Sequence, residues 1–329
     1  MTEKVKLASV GIGWWGNVLA DAARRSGEVD IVTCFARTES TRQAFAEKYG
    51  CRAAASLDDV LNDPEVDGLI TATPHSHHPD LIAAAASAGK HIFVEKPLTL
   101  TVAKAKKAIE AANKSNVILQ VGHHRRRQGA NRRIRAMIDN GELGALHQLE
   151  GNLSVFKQQP PTWRSNAEEQ PLGGLTGLGV HMIDTLHYLA GPMKRVFCFS
   201  KKVTGKQGDI DEATMIAAEF ESGPLGYIGF SLCVPKVCTV GAFGDKASAW
   251  SDEEGAKLYF EKNDQFTRSE LEVDGGDALA DELAEFSRSI RGETKPETGG
   301  PEGLAVVEVM EALYESQKTG KAVDVADFR

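Results

Sequence analysis

From residue 4 to about 122, short runs of β-branched and apolar residues alternate with stretches whose apolar positions recur every three or four residues. "VKLASVG", "DIVTCFA", "VDGLITAT", "HIFVEK" and "VILQVGHH" read as strands. "NVLADAARRSG", "STRQAFAEKYG", "DLIAAAASAG" and "VAKAKKAIEAANKS" read as the helices between them. The strands are continuously apolar rather than alternating, which marks a parallel sheet covered on both faces. The pattern predicts a doubly wound α/β domain over residues 1–123.

After one more helix, "NRRIRAMIDNG", the texture changes. "ALHQLEGNLSVF", "RVFCFSKKV", "EATMIAAEFESG" and "LGYIGFSLCV" read as strands with turn signals between them, interrupted by one helix, "VHMIDTLHYLAG". Two helices, "DALADELAEFSRSIRG" and "PEGLAVVEVMEALYESQKTG", close the chain. Residues 124–329 are therefore expected to form an α+β domain around a large, mostly antiparallel open sheet.

Composition narrows the picture without changing it. The 329 residues carry a formal net charge of −8, which speaks against a nucleic-acid-binding surface. No apolar stretch reaches the length of a bilayer span, and "MTEKVKLASVGIG" does not read as a signal peptide. Five cysteines, at 34, 51, 198, 233 and 238, form no C-x-x-C pair, which fits a reducing, cytoplasmic setting.

The first chemical motif is "VGIGWWG", comprising Gly11, Ile12, Gly13, Trp14, Trp15 and Gly16, between the first strand and the first helix. In that context the glycines serve a tight turn, close approach of a pyrophosphate and helix–strand packing, and the helix N-terminus faces the phosphates. Trp14 and Trp15 are read either as packing on the dinucleotide or as cover for the helix start. Where the second strand would end on a ribose-binding acid, the chain has Ala36, Arg37 and Thr38. An arginine there, with Arg42 one turn into the next helix, favours a 2′-phosphate and hence NADP over NAD.

"GKHIFVEKPLT" (89–99), with the glycine fingerprint, "TATPHSHH" (71–78) and "GVHMID" (179–184), resembles the Gfo/Idh/MocA oxidoreductases over essentially the whole chain. The resemblance implies a Rossmann-like domain plus an α+β domain whose open sheet mediates homodimers or homotetramers. It also implies NAD(P)-dependent oxidation of a carbinol, or reduction of a carbonyl, on a sugar, polyol or related ring. Hydride transfer needs a proton at the attached oxygen, and Lys96 of Glu95–Lys96–Pro97 fits that need. By resemblance, Lys96 contacts both cofactor and substrate.

His75, His77 and His78 invite a metal reading, but zinc geometry needs its ligands to converge from one side, and no metal site is expected. Thr73, Pro74 and His75 are read as lining the nicotinamide ribose, with His78 at the start of the next helix. His124 points toward the crevice mouth. Of the arginines in "HHRRRQGANRRIR", most are expected on a solvated helix face, with one or two of Arg125–Arg127 free for a phosphate or an acidic group. Trp163 and Arg164 match a position near the substrate. The family commonly has an aspartate four residues before the histidine; here that position is Gly177, and His181 remains with Asp184 three residues on, spaced to orient it. Two other readings stay open: a non-catalytic NAD(P)-binding sensor, and an NAD-assisted glycoside hydrolase.

Overall fold

The computed structural model describes residues 3–156 and 163–329. By contacts the chain divides into two compact units, Met1–Gly122 with Asp277–Leu304, and His123–Gly276 with Ala305–Arg329.

The first unit runs β1 (Val5–Val10), α1 (Trp14–Ser26), β2 (Val29–Phe35), α2 (Glu39–Tyr49), β3 (Arg52–Ala53), α3 (Leu57–Leu61), β4 (Gly68–Thr71), α4 (His78–Ser87), β5 (His91–Glu95), α5 (Val102–Lys114) and β6 (Leu119–Gly122). Among the described residues its sheet has six strands in the order β3-β2-β1-β4-β5-β6, every pairing parallel. The order reverses at β1, so β1 and β4 start the two halves of the sheet, where α/β folds open a ligand crevice at the strand carboxyl ends. The short β3 and α3 had no predicted counterpart. α3 is held by a capping box, in which the Ser56 hydroxyl accepts from the Asp59 N–H and the Asp59 carboxylate accepts from the Ser56 N–H.

The second unit holds α6 (Gly129–Asp139), β7 (Leu146–Phe156), α7 (Gly179–Ala190), β8 (Met193–Lys201), β9 (Ala213–Phe220), β10 (Leu225–Ser231), β11 (Cys233–Gly244), β12 (Ala247–Asp252), β13 (Lys257–Lys262) and β14 (Ser269–Leu271). Three further elements follow: α8 (Ala278–Ile290), α9 (Gly300–Thr319) and β15 (Val323–Asp324). The second sheet is ordered β14-β13-β12-β11-β7-β10-β9-β8-β15 and is antiparallel except where β10 pairs with β7.

α8 belongs to the first unit, whereas sequence order alone had placed everything after 123 in the second. The reason is its apolar stripe. Leu283 and Phe286 are fully buried in one cluster with Val5, Leu7, Leu19, Val29, Ile70 and Phe93, and the rings of Phe93 and Phe286 meet edge to face at 5.9 Å. Burying a side chain the size of phenylalanine contributes roughly 1.5–3 kcal/mol, so α8 is a structural part of the parallel-sheet unit. In the second unit, alternation along much of β8, β9 and β10 turns Val196, Cys198, Ile216, Ile228 and Phe230 inward. The opposite face carries Phe199, Met215, Leu225 and Tyr227, all exposed.

Candidate functional site

In the first unit, strand register places Val10 beside Thr71, Thr71 beside Val94 and Glu95 beside Gly122, so the loops after β1, β4, β5 and β6 leave the same edge of the sheet. Gly11 has φ +84°, and a Cβ there would come within 2.7 Å of the Ala72 carbonyl carbon and 2.8 Å of Thr73 Cγ2. A Cβ on Gly16 would run into the Gly11 carbonyl oxygen. A Cβ on Gly13 would meet nothing within 4 Å, and Gly13 precedes α1 as its N-cap, with no side-chain cap and no acidic residue in the first turn. The helix thus presents its N–H groups and positive dipole end to open space. Thr73 adds a buried hydroxyl with no hydrogen-bond partner among the described residues. A glycine cradle, an uncapped helix start and an orphaned hydroxyl fit a dinucleotide.

Trp15 packs on the hydrophobic core, while Trp14 is 76% exposed with its ring tilted 5.3 Å from that of Trp15. Ile12 is buried in a second cluster with Ala20, Cys34, Phe45 and Tyr49. Arg37 and Thr38 are exposed in the β2–α2 connection, and Thr38 caps α2 through its backbone. Arg42 bends back, its Nη1 donating to the carbonyls of Ala36 and Arg37 at 3.3 and 3.5 Å, so it braces the loop that carries Arg37.

The string around Lys96 is pinned from below. His78 is fully buried, with Nδ1 2.9 Å from the Pro97 carbonyl and Nε2 3.2 Å from the Thr73 carbonyl. It therefore ties the β4 loop to the β5 loop. His75, also buried, meets it edge to face at 5.6 Å, with Pro74 between the β4 loop and that turn. Glu95 is buried at the end of β5, its Oε2 accepting from the Lys96 N–H at 3.3 Å. Its Oε1 lies 2.9 Å from where a Cβ on Gly122 would stand, so the neighbouring strand must end on glycine to leave the carboxyl its place. The Lys96–Pro97 peptide is cis.

In the second unit, a short 3-10 turn, His124–Arg127, packs against α7. His124 and His181 are both buried, with rings edge to face at 5.1 Å. Asp184 is engaged by Arg126 rather than by the His181 imidazole that the three-residue spacing pointed to. Arg126 Nε donates to Oδ2 at 3.0 Å and Nη2 to Oδ1 at 2.5 Å, a bidentate geometry that an imidazole cannot match. His123 Nδ1 stands 4.0 Å from the same carboxylate. Burial alone would push Asp184 up, but Arg126, and more weakly His123, outweigh it and hold the carboxyl below its usual range. His187, three residues further on, is pushed down to about 4 by burial, and its Nε2 accepts from the Met193 N–H.

The expected solvated arginine face is corrected here as well. Arg126 and Arg127 are buried, Arg125 donates to Glu254 at 3.1 Å, and Arg126, Arg132 and Arg135 lie within 6 Å of the Tyr188 ring. Arg164 stacks over Trp163 at 4.1 Å, just after the undescribed stretch 157–162. Gly177 stands before α7, faced by Gln170, a residue the sequence gave no reason to single out. Among the described residues no cluster of three or more histidine, cysteine, aspartate or glutamate side chains could hold a metal ion, and no helix is long and apolar enough to cross a membrane.

Comparison with known proteins matches both halves. Residues 5–123 match an oxidoreductase family with an NAD-binding Rossmann fold, and residues 131–250 match the GFO/IDH/MocA C-terminal domain. A solved structure from Desulfitobacterium hafniense DCB-2, classed only by inference as an NADPH-dependent oxidoreductase, superposes with TM-score 0.93 at 30% identity, covering 100% of this chain and 99% of that one. The myo-inositol 2-dehydrogenase of Thermotoga maritima is 25% identical, over 98% of this chain and 99% of its own. The 1,5-anhydro-D-fructose reductase of Ensifer adhaerens is 24% identical, over 90% and 91%.

Proposed function

From the premise that the chain belongs to the GFO/IDH/MocA oxidoreductases, we propose that it moves a hydride between NADP and a CH–OH or C=O carbon of a cyclic sugar, polyol or related alcohol. The observation that carries this reading is the first unit's edge, where the glycine cradle after β1 and the His78-pinned Lys96 loop after β5 leave the same side of the sheet, with only β4 between their strands.

When bound, the dinucleotide supplies hydride acceptance or donation at its nicotinamide ring. The remaining work falls to side chains. Gly11, Gly13 and Gly16 make room for the pyrophosphate, with Ile12 anchoring the loop and Trp14 offering an exposed ring beside it. Arg37, in the loop braced by Arg42, supplies charge for a 2′-phosphate, and Thr38 opens α2 beside it. Thr73, Pro74 and His75 form the wall next to Lys96. Lys96 holds or delivers the proton at the reacting oxygen through Nζ, and Glu95 and His78 fix the turn from which it projects.

By the resemblance His181 also takes part in proton handling, and within the second unit His124 lies against its ring. Asp184 acts as a positioning residue, locking Arg126 and His123 beneath them. Trp163, Arg164 and Gly177 are assigned to the substrate. The exposed Phe199, Met215, Leu225 and Tyr227 on one sheet face support assembly into a homodimer or homotetramer, and the free cysteines fit a cytoplasmic setting. The relatives named above are a dehydrogenase and a reductase, which lends no support to the sensor or hydrolase readings.

The test is a substrate panel: myo-inositol, scyllo-inositol, D-glucose and levoglucosan with each oxidised cofactor, and 1,5-anhydro-D-fructose with each reduced one, followed by nicotinamide absorbance. Turnover with at least one member, faster with the NADP couple, is expected. Binding of NADPH with no turnover of any member would contradict the proposal.

A further inference from the structure

The five cysteines are not alike. Cys198 and Cys238 are buried and Cys233 half-buried, and burial pushes the thiols of all three up. Cys34 and Cys51 stand together in the first unit. Cys34 is fully buried on β2, beside Ala53 of β3, in one cluster with Ile12, Phe45 and Tyr49. Cys51, two residues before Ala53, packs against the same cluster. The Cys34 thiol donates to the Arg42 carbonyl at 3.4 Å and also reaches the Cys51 sulfur. Neither cysteine has a part in the function proposed above.

Only one of the pair meets solvent. Cys51 lines an open cleft of about 580 Å³ with Arg24, Tyr49 and Arg52, whereas Cys34 has none of its surface exposed. The Cys34 hydrogen bond, and more weakly the Arg24 and Arg52 guanidinium groups, hold the Cys51 thiol below its ordinary value against the upward push of burial. Among the described residues no other cysteine is lowered. The thiolate is the form that attacks an oxidant. An accessible thiolate backed by a second thiol is the arrangement of a reversible redox pair.

We propose that Cys51 is a modification site for hydroperoxides, with Cys34 as its resolving thiol, and that the disulfide they form loosens the loop carrying Arg37. The Cys51 sulfur attacks one peroxide oxygen and the O–O bond breaks. Sulfur is oxidised by two electrons to the sulfenic acid, and the other oxygen leaves, protonated from solvent, as water or an alcohol. Cys34 then attacks the oxidised sulfur: the S–S bond forms, the S–O bond breaks, and hydroxide leaves with the Cys34 proton as water. A dithiol reverses the step. The effect falls on Arg42. With its proton gone, Cys34 no longer donates to the Arg42 carbonyl, and Arg42 is the residue whose Nη1 braces the carbonyls of Ala36 and Arg37. The redox pair stands without the function proposed above, whereas its effect on NADPH rests on that reading.

The experiment treats the reduced full chain with hydrogen peroxide, follows its intact mass, maps disulfides by peptide mass spectrometry, and titrates NADPH by fluorescence before and after dithiothreitol. The wild type is expected to become lighter by two hydrogens, with Cys34 joined to Cys51. It should then bind NADPH about fivefold more weakly, the equivalent of one neutral hydrogen bond. Dithiothreitol should restore both. Cys51→Ser should form no such bond and keep its NADPH affinity under peroxide, and Cys34→Ala should instead accumulate a sulfenic acid at Cys51, captured by dimedone. No Cys34–Cys51 bond in the wild type, or oxidation at Cys233 ahead of Cys51, would overturn the redox pair whatever the variants do. A bond formed with NADPH affinity unchanged would overturn the coupling to the Arg37 loop. A reduced wild type that fails to bind NADPH contradicts the proposed function and the coupling with it, while the mass result still decides the redox pair.

Discussion

Replacing Asp184 by asparagine should destabilise the second unit far more than it slows any chemistry. The Asp184 carboxylate is 2% exposed and its partner Arg126 7%, joined by two N–H···O bonds. Asparagine keeps the shape but removes the charge, leaving the Arg126 guanidinium buried beside His123 and His187 with no anion. Breaking a buried pair from one side typically costs about 3–5 kcal/mol. At about 2–4 °C per kcal/mol for a unit of this size, the transition should fall by about 6–20 °C. Calorimetry resolves the transitions, and urea titration gives the free energy directly. A double variant, Asp184→Asn with Arg126→Met, should recover most of the loss, because it removes both charges. If Asp184→Asn lies within about 1 kcal/mol of the wild type, the surface-pair range, the buried-pair argument is wrong.

Other expectations follow from the same geometry. Arg37→Ala should raise the KM for NADP far more than that for NAD, measured side by side; equal effects would remove the clamp. Glu212 is buried and accepts from the backbone N–H groups of Val203, Thr204, Lys206 and Gln207, which outweigh the upward push of burial and depress it to about 2. A depressed carboxyl contributes its stability above the ordinary value near 4.5 and loses it as pH falls toward 2. Hydrogen exchange at Val203 and Thr204 should therefore accelerate across that window, and Glu212→Gln should abolish the pH dependence. Met215→Glu, on the exposed sheet face, should shift the particle to a smaller assembly in light scattering, and an unchanged mass would exclude that face as the interface.

Much of the first unit was legible because its strands are buried on both faces and therefore carry continuous apolar runs. The glycine loop was legible because strand, loop and helix follow one another in sequence. β3 and α3 were not, since a two-residue strand and a single helical turn leave no periodicity to count. The placement of α8 depends on Phe286 meeting Phe93, a contact between residues far apart in sequence. The same limit hid the role of the arginine run. Arg126 reads as one basic residue among several until folding brings it to Asp184, 58 positions away.

The central claim is that NADP-dependent hydride transfer here is completed by a proton held at Lys96. It is tested most directly by mixing the enzyme and 4-deuterated NADPH of defined stereochemistry with the keto form of the best panel substrate, then weighing the product. The wild type should yield product one mass unit heavier. Lys96→Ala should still bind NADPH but, at saturating NADPH, form that product at least about a hundredfold more slowly, the usual share of a general acid. Deuterium transfer at the wild-type rate in Lys96→Ala, or product formed without deuterium, would contradict the account.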